Sequence, residues 1–357
     1  MMLLSELACE YGVFDWLSSI AVRRANGSCS RLFALVYGVG TVVTIFMSND
    51  ATAVVLTPAI LTAVRKAKVA PLPYLFICAL IANAASFVLP ISNPANLVVF
   101  HNGMPPLGRW LLSFGVPSMF SIVATYIVMR WIFRKDMCTS IECEAESKPL
   151  TGNGKLVLGG IAAMVVVLLT ASSLGKDLGL PTCLAALAIT AVVSIKAVNN
   201  PMRLARGISW ETLALVAGLF VMVDAVESIG ALKVTQAWLA WAQGLAPAVG
   251  ALMTGVAVGV ANNLVNNLPL GLITGGALQA GHAKGLIASA ALIGIDLGPN
   301  LSVTGSLATI LWLLALRKEN LDVSFWRFLK VGAVAMPIAL VLSLGSAILM
   351  KALFHIP

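Results

Sequence analysis

Charge is what this chain has least of. Only 11% of its 357 residues are Asp, Glu, Lys or Arg, against about 25% in soluble domains. Hydrophobic residues make up 59%, too much apolar surface for so few polar groups to cover in water. That balance excludes a soluble enzyme, a secreted disulfide scaffold, a disordered chain and a nucleic-acid-binding domain. Histidine is scarce: His101, His282 and His355 sit at the ends of apolar stretches, with no metal-ligand spacing. The cysteines (Cys9, Cys29, Cys78, Cys138, Cys143 and Cys183) contain no C-x-x-C pair, so no disulfide or zinc framework is implied. H-E-x-x-H, G-x-S-x-G and Walker A patterns are missing, and Gly294-Ile295-Asp296 lacks the Gly-x-Gly-Asp setting of intramembrane aspartyl proteases. These absences predict a chain that is not an enzyme, takes no cofactor or metal, and does not itself hydrolyse ATP.

What the chain has instead is apolar runs near the ~20 residues that a bilayer-spanning helix needs. Uninterrupted runs lie at about 109–133, 155–174, 180–196, 208–229 and 328–353. Four others are broken. Residues 31–66 are split by Met47-Ser48-Asn49-Asp50, and 72–101 by Pro90-Ile91-Ser92-Asn93-Pro94. Residues 248–279 are split by the stretch Asn262 to Pro269, and 286–316 by Leu297-Gly298-Pro299-Asn300 and Thr304-Gly305-Ser306. Non-helical backbone at membrane depth leaves N–H and C=O groups needing partners, and is tolerated only inside protein or along a cavity. Paired breaks in corresponding positions are the sequence sign of a transporter binding site.

The breaks do correspond. Gly12 aligns with Gly230, Asn49-Asp50 with Asn266-Asn267, Asn83 with Asp296, Ser92-Asn93 with Gly305-Ser306, and Trp110 with Trp326, all at offsets of 213 to 218. The predicted organisation is a first unit over 1–133, a linker over 134–154 and a second unit over 155–357. The second unit opens with two spans and most of a third before Gly230. The first has only eleven residues before Gly12, so it is expected to be shortened at its N-terminus.

Counting crossings sets the topology. The second unit crosses five times, while the stretch 248–279 enters and leaves on one side as a hairpin. An odd number inverts the two units relative to each other. The net charge of +8 then becomes a test. One side collects Arg23, Arg24, Arg31, Arg65, Lys66 and Lys68 around the first hairpin and Arg130, Arg134, Lys135, Lys148 and Lys155 around the linker. It also takes Lys196, Arg203, Arg206, Arg317, Lys318, Arg327 and Lys330. Five remain for the other side: Arg109, Lys176, Lys233, Lys284 and Lys351. Eighteen against five makes the first side cytoplasmic. The predicted fold is an all-α polytopic membrane protein, an inverted-topology repeat with two re-entrant hairpins and two broken transmembrane helices.

Few polar groups lie at depth. Ser48, Asn49 and Asp50 occupy the first hairpin tip, and Asn266 and Asn267 the second. An intramembrane carboxylate is costly, by about 2.5–3.5 kcal/mol on insertion scales, so Asp50 is a functional candidate. Its alternative role is to cap the returning helix. Asp296 precedes the second break and is the other candidate for carrying protons; its alternative is a purely structural bond to backbone at Gly298 to Asn300. Ser92 and Asn93, with Thr304, Gly305 and Ser306, supply hydroxyls, amides and bare backbone beside helix N-termini. Such a lining suits a small, oxygen-rich, neutral or anionic solute.

Ser48-Asn49-Asp50-Ala51-Thr52-Ala53-Val54-Val55-Leu56-Thr57-Pro58 resembles the first hairpin of ArsB-type arsenite/antimonite efflux proteins. Val265-Asn266-Asn267-Leu268-Pro269 resembles the second. The run Ile295-Asp296-Leu297-Gly298-Pro299-Asn300, continuing through Thr304-Gly305-Ser306 to Trp312, is the most specific match, and Phe133-Arg134-Lys135-Asp136 fits too. The resemblance covers essentially the whole chain. It implies membership of the ion transporter superfamily and residence in the bacterial cytoplasmic (inner) membrane. It further implies export of trivalent arsenite or antimonite in exchange for protons by an elevator-like motion and, for some relatives, docking of a soluble arsenite-stimulated ATPase. By position, Ser48, Asn49, Asp50, Ser92, Asn93, Asn266, Asn267, Thr304, Gly305 and Ser306 would line the substrate cavity, with Asp50 and Asp296 coupling protons. Two departures stand out: the family carries about two further N-terminal spans, and Asn83 stands where close relatives often have Asp. A dicarboxylate or other small oxyanion carrier coupled to Na⁺ or H⁺ is the alternative on the same fold.

Overall fold

The computed structural model describes residues 2–100, 103–137, 149–176, 178–197, 217–218, 221 and 230–354. Most of the span read at 208–229 lies outside them, as do His101, His355, Cys138, Cys143, Lys148, Arg203 and Arg206. Among the described residues every regular element is helical. The order is α1 (Met2–Glu10), α2 (Val13–Arg24), α3 (Cys29–Phe46), α4 (Thr57–Lys66), α5 (Leu72–Ala84), α6 (Pro94–Val99) and α7 (Leu107–Ile132). Then come α8 (Gly152–Ser173), α9 (Gly179–Ala197), α10 (Ala231–Gln243), α11 (Pro247–Val265), α12 (Asn267–Ala280), α13 (Leu286–Leu297), α14 (Leu307–Lys318) and α15 (Phe325–Phe354). Six of these, α3, α7, α8, α9, α11 and α15, are long and apolar enough to cross a bilayer.

The elements α2 to α7 recur as α10 to α15, and the backbone repeats in detail. Gly12 and Gly230 cap α2 and α10 with φ of +69° and +91°. A side chain there would meet the carbonyl sterics that keep other residues out of the left-handed region. At the hairpin tips Ser48 and Asn266 both have positive φ, 142° and 80°, and the returning helices start at Asn49 and Asn267. This corrects the alignment by one residue. Asn49 pairs with Asn267, at the offset that also relates the two glycines, and Asp50 has Leu268 in its place. The returning arm of the first hairpin opens with a π-helical turn, Ala51–Leu56, before α4; among the described residues α12 has no counterpart to it. The tryptophans pair less well: Trp110 is fully buried and donates to Phe87 O at 3.1 Å, whereas Trp326 is exposed.

Side-chain contacts show the inversion directly. Arg65, at the end of α4, meets Glu319, just past α14: Nη1 donates to Oε2 at 2.9 Å and Nη2 to the backbone O at 3.1 Å. Tyr74 in the first turn of α5 donates to Cys29 O at the start of α3. The open end of the first hairpin, the start of α5 and the end of α14 therefore share one side. A crevice on the other side gathers Leu112, Gly285, Leu286, Ala347 and Lys351, from the start of α7, the start of α13 and the end of α15. Gly250, near the start of α11, faces Ile287 there. The second hairpin therefore opens opposite to the first. Arg65, Arg317 and Lys318 fall on one side and Lys284 and Lys351 on the other, as the charge distribution assigned them.

Small residues let the second hairpin sit tight against its broken helix. Gly255 and Gly259 on α11 face Gly294 and Gly298 at the end of α13. A Cβ on Gly298 would lie 2.6 Å from Asn262 Nδ2, and one on Gly275 only 2.7 Å from Val99 O of α6. Apolar burial drives little association inside a bilayer, so such close backbone packing is what holds helices together there. Aromatic rings fill the core towards the Arg65 side: Phe76 packs on Phe133, Trp312 and Phe328 with centroids 5.5 to 5.7 Å apart.

Candidate functional site

Both broken helices fail in the same way. After α5 and α13 the chain passes through an extended residue, Leu89 (φ −123°, ψ 153°) or Ser302 (−141°, 159°). A 3₁₀ turn follows, Pro90–Ser92 or Val303–Gly305. The chain re-enters helix at an extended N-cap, Asn93 (−146°, 131°) or Ser306 (−142°, 155°). Each cap uses its own side chain: Asn93 Oδ1 accepts from Ala95 N at 3.0 Å, and Ser306 Oγ from Thr309 N at 3.1 Å. A short polar side chain at this position takes up an otherwise orphaned helix N–H.

The rest of each cap reaches across to the other unit. Asn93 Nδ2 donates to Asp296 Oδ1, from the first cap to the last turn before the second break. Conversely, Ser306 Oγ donates to Asn83 Oδ1 at 3.3 Å, from the second cap to the last turn before the first break. Asn83 Nδ2 is shared between Asn300 Oδ1 at 3.0 Å and Thr309 Oγ1 at 3.3 Å, and Asn300 Nδ2 donates to Leu80 O. The two breaks are thus clasped reciprocally, one clasp around a carboxylate and the other around amides and hydroxyls. Asp296 is fully buried, and among the described residues no other Asp, Glu, Lys or Arg is. Its Oδ2 has no donor of its own among those residues, and Ser86 beside it donates instead to Asn83 O at 2.7 Å. The structural alternative for Asp296, a bond to backbone at Gly298 to Asn300, is not what the chain adopts. Asn263 bonds that stretch instead, donating to Gly298 O, while Asn262 donates to Gly294 O and Ile295 O just before it.

Each hairpin tip is stitched to its own break. Ser92 Oγ donates to Ile45 O at 2.8 Å at the end of α3. In the second unit Asn266 Nδ2 donates to Thr304 O at 3.1 Å, Thr304 Oγ1 to Asn263 O, and Ser302 Oγ to Asn263 Oδ1. Gly305 has to be glycine, because a Cβ would stand 2.9 Å from that same Asn263 Oδ1. Ser48, Asn49 and Asp50 bond to none of the other candidates. Ser48 Oγ accepts from Ala51 N, so Ser48 and not Asp50 caps the returning helix. Asp50 is half-buried and makes no side-chain hydrogen bond or ion pair within the described residues. At both tips a buried side-chain oxygen, Asn49 Oδ1 and Asn267 Oδ1, lacks a hydrogen-bond partner there. Asn266, at φ 80° and ψ 151°, is also in a strained conformation. Strain held beside unpartnered polar atoms is the kind of outlier that marks working sites.

Residues 1–296 match the family described as citrate transporter, CitMHS. The chain belongs to that family. Among curated relatives of this family member are the arsenical pump membrane proteins of Escherichia coli, 26% identical over 352 residues, and of Escherichia coli strain K12, 27% identical over 352 residues. Both alignments take in 94% of this chain and 81% of the relative. An uncharacterized transporter of Mycobacterium tuberculosis is 23% identical over 360 residues, covering 96% of this chain and 82% of its own length. The fold is shared with the crystal structure of the Alcanivorax borkumensis YdaH transporter, described as having an unusual topology. The TM-score is 0.60 at 16% identity, over 99% of this chain and 84% of that one. The family member described here is a transporter of the ion transporter superfamily, integral to the bacterial inner membrane.

Proposed function

We propose that this chain exports trivalent arsenite or antimonite in exchange for protons, by an elevator-like movement of the hairpins and broken helices against the remaining helices. One observation carries the reading: the only buried Asp, Glu, Lys or Arg among the described residues is Asp296, and nothing basic accompanies it. A multiply charged anion such as citrate taken into this interior would need fixed positive charge to offset its desolvation. Arsenous acid is small, neutral near pH 7 and rich in hydroxyls, so the amides and hydroxyls of Asn49, Asn267, Ser92, Asn93, Thr304 and Ser306 suit it. Asp296 would take up and release the proton, with Asp50 a second carrier at the first tip. The names of the arsenical pump relatives support the same substrate. Citrate is the second reading, and only the family's description favours it.

Everted vesicles decide between them. Arsenite should accumulate when the vesicle interior is acidified, and excess citrate should not compete. Uptake indifferent to the pH gradient would remove proton antiport, and uptake of citrate with no uptake of arsenite would establish the second reading.

A further inference from the structure

At the end of α7 on the Arg65 side, a surface cleft of about 430 Å³ is lined by Ser30, Ile127, Arg130, Trp131, Arg134 and Met137. No described acidic residue lines it. Arg130 stands in the last turn of α7 and Arg134 two residues past its end, both lining the cleft, and Arg130 has no ion pair with a described residue. The Arg134 guanidinium lies 5.7 Å from the centroid of the Trp131 ring. Running from the cleft, the same helix shows the bilayer an apolar ridge at four-residue spacing, Val123, Ile127 and Trp131, exposed by 52%, 59% and 58%. Two cations at the head of an apolar ridge, with an amphipathic indole at the boundary, reproduce the two halves of a phospholipid. Basic pockets at the cytoplasmic ends of transmembrane helices recognise anionic headgroups by this combination.

We propose that this cleft binds the phosphate of an anionic phospholipid, held by Arg130 and Arg134, with an acyl chain lying along Ile127 and Val123. No residue lining the cleft belongs to either break, and the proposal does not depend on which solute is carried. The same guanidinium chemistry would accept free phosphate, so the test must separate the two sources.

The purified full chain is incorporated in nanodiscs of phosphatidylcholine doped with phosphatidylglycerol, then released for native mass spectrometry. Selective retention of one phosphatidylglycerol per chain is expected, undiminished by millimolar inorganic phosphate. The double variant R130Q/R134Q should lose about tenfold in retention, while R130K/R134K keeps most of it because a lysine still supplies charge. R109Q, on the opposite side of the membrane, should retain lipid like the parent and so controls for a general loss of charge. Equal retention of phosphatidylcholine, displacement by inorganic phosphate, or undiminished retention in R130Q/R134Q would each overturn the proposal. A double variant that elutes as an aggregate is replaced by W131A, which should weaken retention several-fold with both charges kept; retention unchanged in W131A would then overturn it.

Discussion

The segments Leu89–Asn93 and Ser302–Ser306 follow nearly the same backbone path and carry different chemistry. Both run from an extended residue through a 3₁₀ turn to an extended N-cap. Across the molecule, however, one cap answers to a carboxylate and the other to an amide. The hairpins differ in the same spirit. The second is tied to its break by Asn262, Asn263 and Asn266 and by a seam of four glycines, whereas Ser92 bonded to Ile45 O does that job in the first. A repeat can thus preserve geometry while its side chains divide the labour. Backbone breaks must be satisfied twice, once in each unit, but the clasps need only one titratable group between them.

The comparison is tested most severely at the carboxylate. Asp296→Asn keeps shape and can still bond Asn93, so the protein should fold and reach the membrane while arsenite uptake stops responding to an acid interior. Asn83→Asp should not rescue it, because that position faces Ser306, Asn300 and Thr309. Retained coupling in the Asp296→Asn vesicles would sink the assignment. The next effect is on packing. Gly298→Ala forces a methyl group towards Asn262 and the α11 backbone and should destabilise by at least about 1–3 kcal/mol. Gly40→Ala in the first unit meets a side-chain methyl, Ile81 Cγ2 at 2.9 Å, and no backbone, and should cost less. Thermal unfolding in detergent, followed by size-exclusion chromatography, compares the two; equal losses would show that the glycine seam is not special to the second unit.

A smaller asymmetry is expected in the clasps. Asn93→Ala leaves the buried Asp296 carboxylate without its donor and removes a helix cap, for about 1–3 kcal/mol. Asn83→Ala should cost less, since Asn300 keeps Leu80 O and Ser306 keeps Thr309. Denaturation midpoints of the two variants measure the difference, and the reverse ranking would overturn it. The smallest effect belongs to Arg65→Gln. The Arg65–Glu319 pair is nearly half exposed, and exposed ion pairs contribute only about 0–1 kcal/mol. A midpoint shift near zero is expected, and a large one would mean that the pair holds the two units together.

Much of this architecture was legible because polar residues are so rare at membrane depth. Asn49, Ser92-Asn93, Asn266-Asn267 and Asp296 announced the breaks, and the placement of lysine and arginine announced the inversion. Gly12 and Gly230 aligned correctly for a definite reason, a left-handed turn that tolerates no side chain. What could not be read is which partner each polar group takes. Asn93 was legible as a lining residue, but its bond to Asp296 depends on how the two units pack, and no spacing within one unit encodes that. Asn262, Asn263 and Asn300 were visible as parts of breaks, yet their work as bonds to backbone and across units was not. Asp50 has the chemistry of a cap, but Ser48, at φ 142°, fills that place. The glycines of α11 and α13 were too many and too ordinary in an apolar sequence to single out.

The π-helical turn Ala51–Leu56 has a mechanical consequence. Such a turn holds one residue more than the α-helix around it, and Thr57 Oγ1 donates to Thr52 O across its wide ring. Tightening it to α-helical winding would rotate everything before it by about 100° relative to everything after it, one residue's worth of helical screw. Asn49 and Asp50 lie just ahead of that joint, and Ile60 and Leu61, packed in the core, lie just behind. Such a rewinding would turn the first tip and Asp50 with it, whereas α12, without a π-turn, offers no such joint to the second tip.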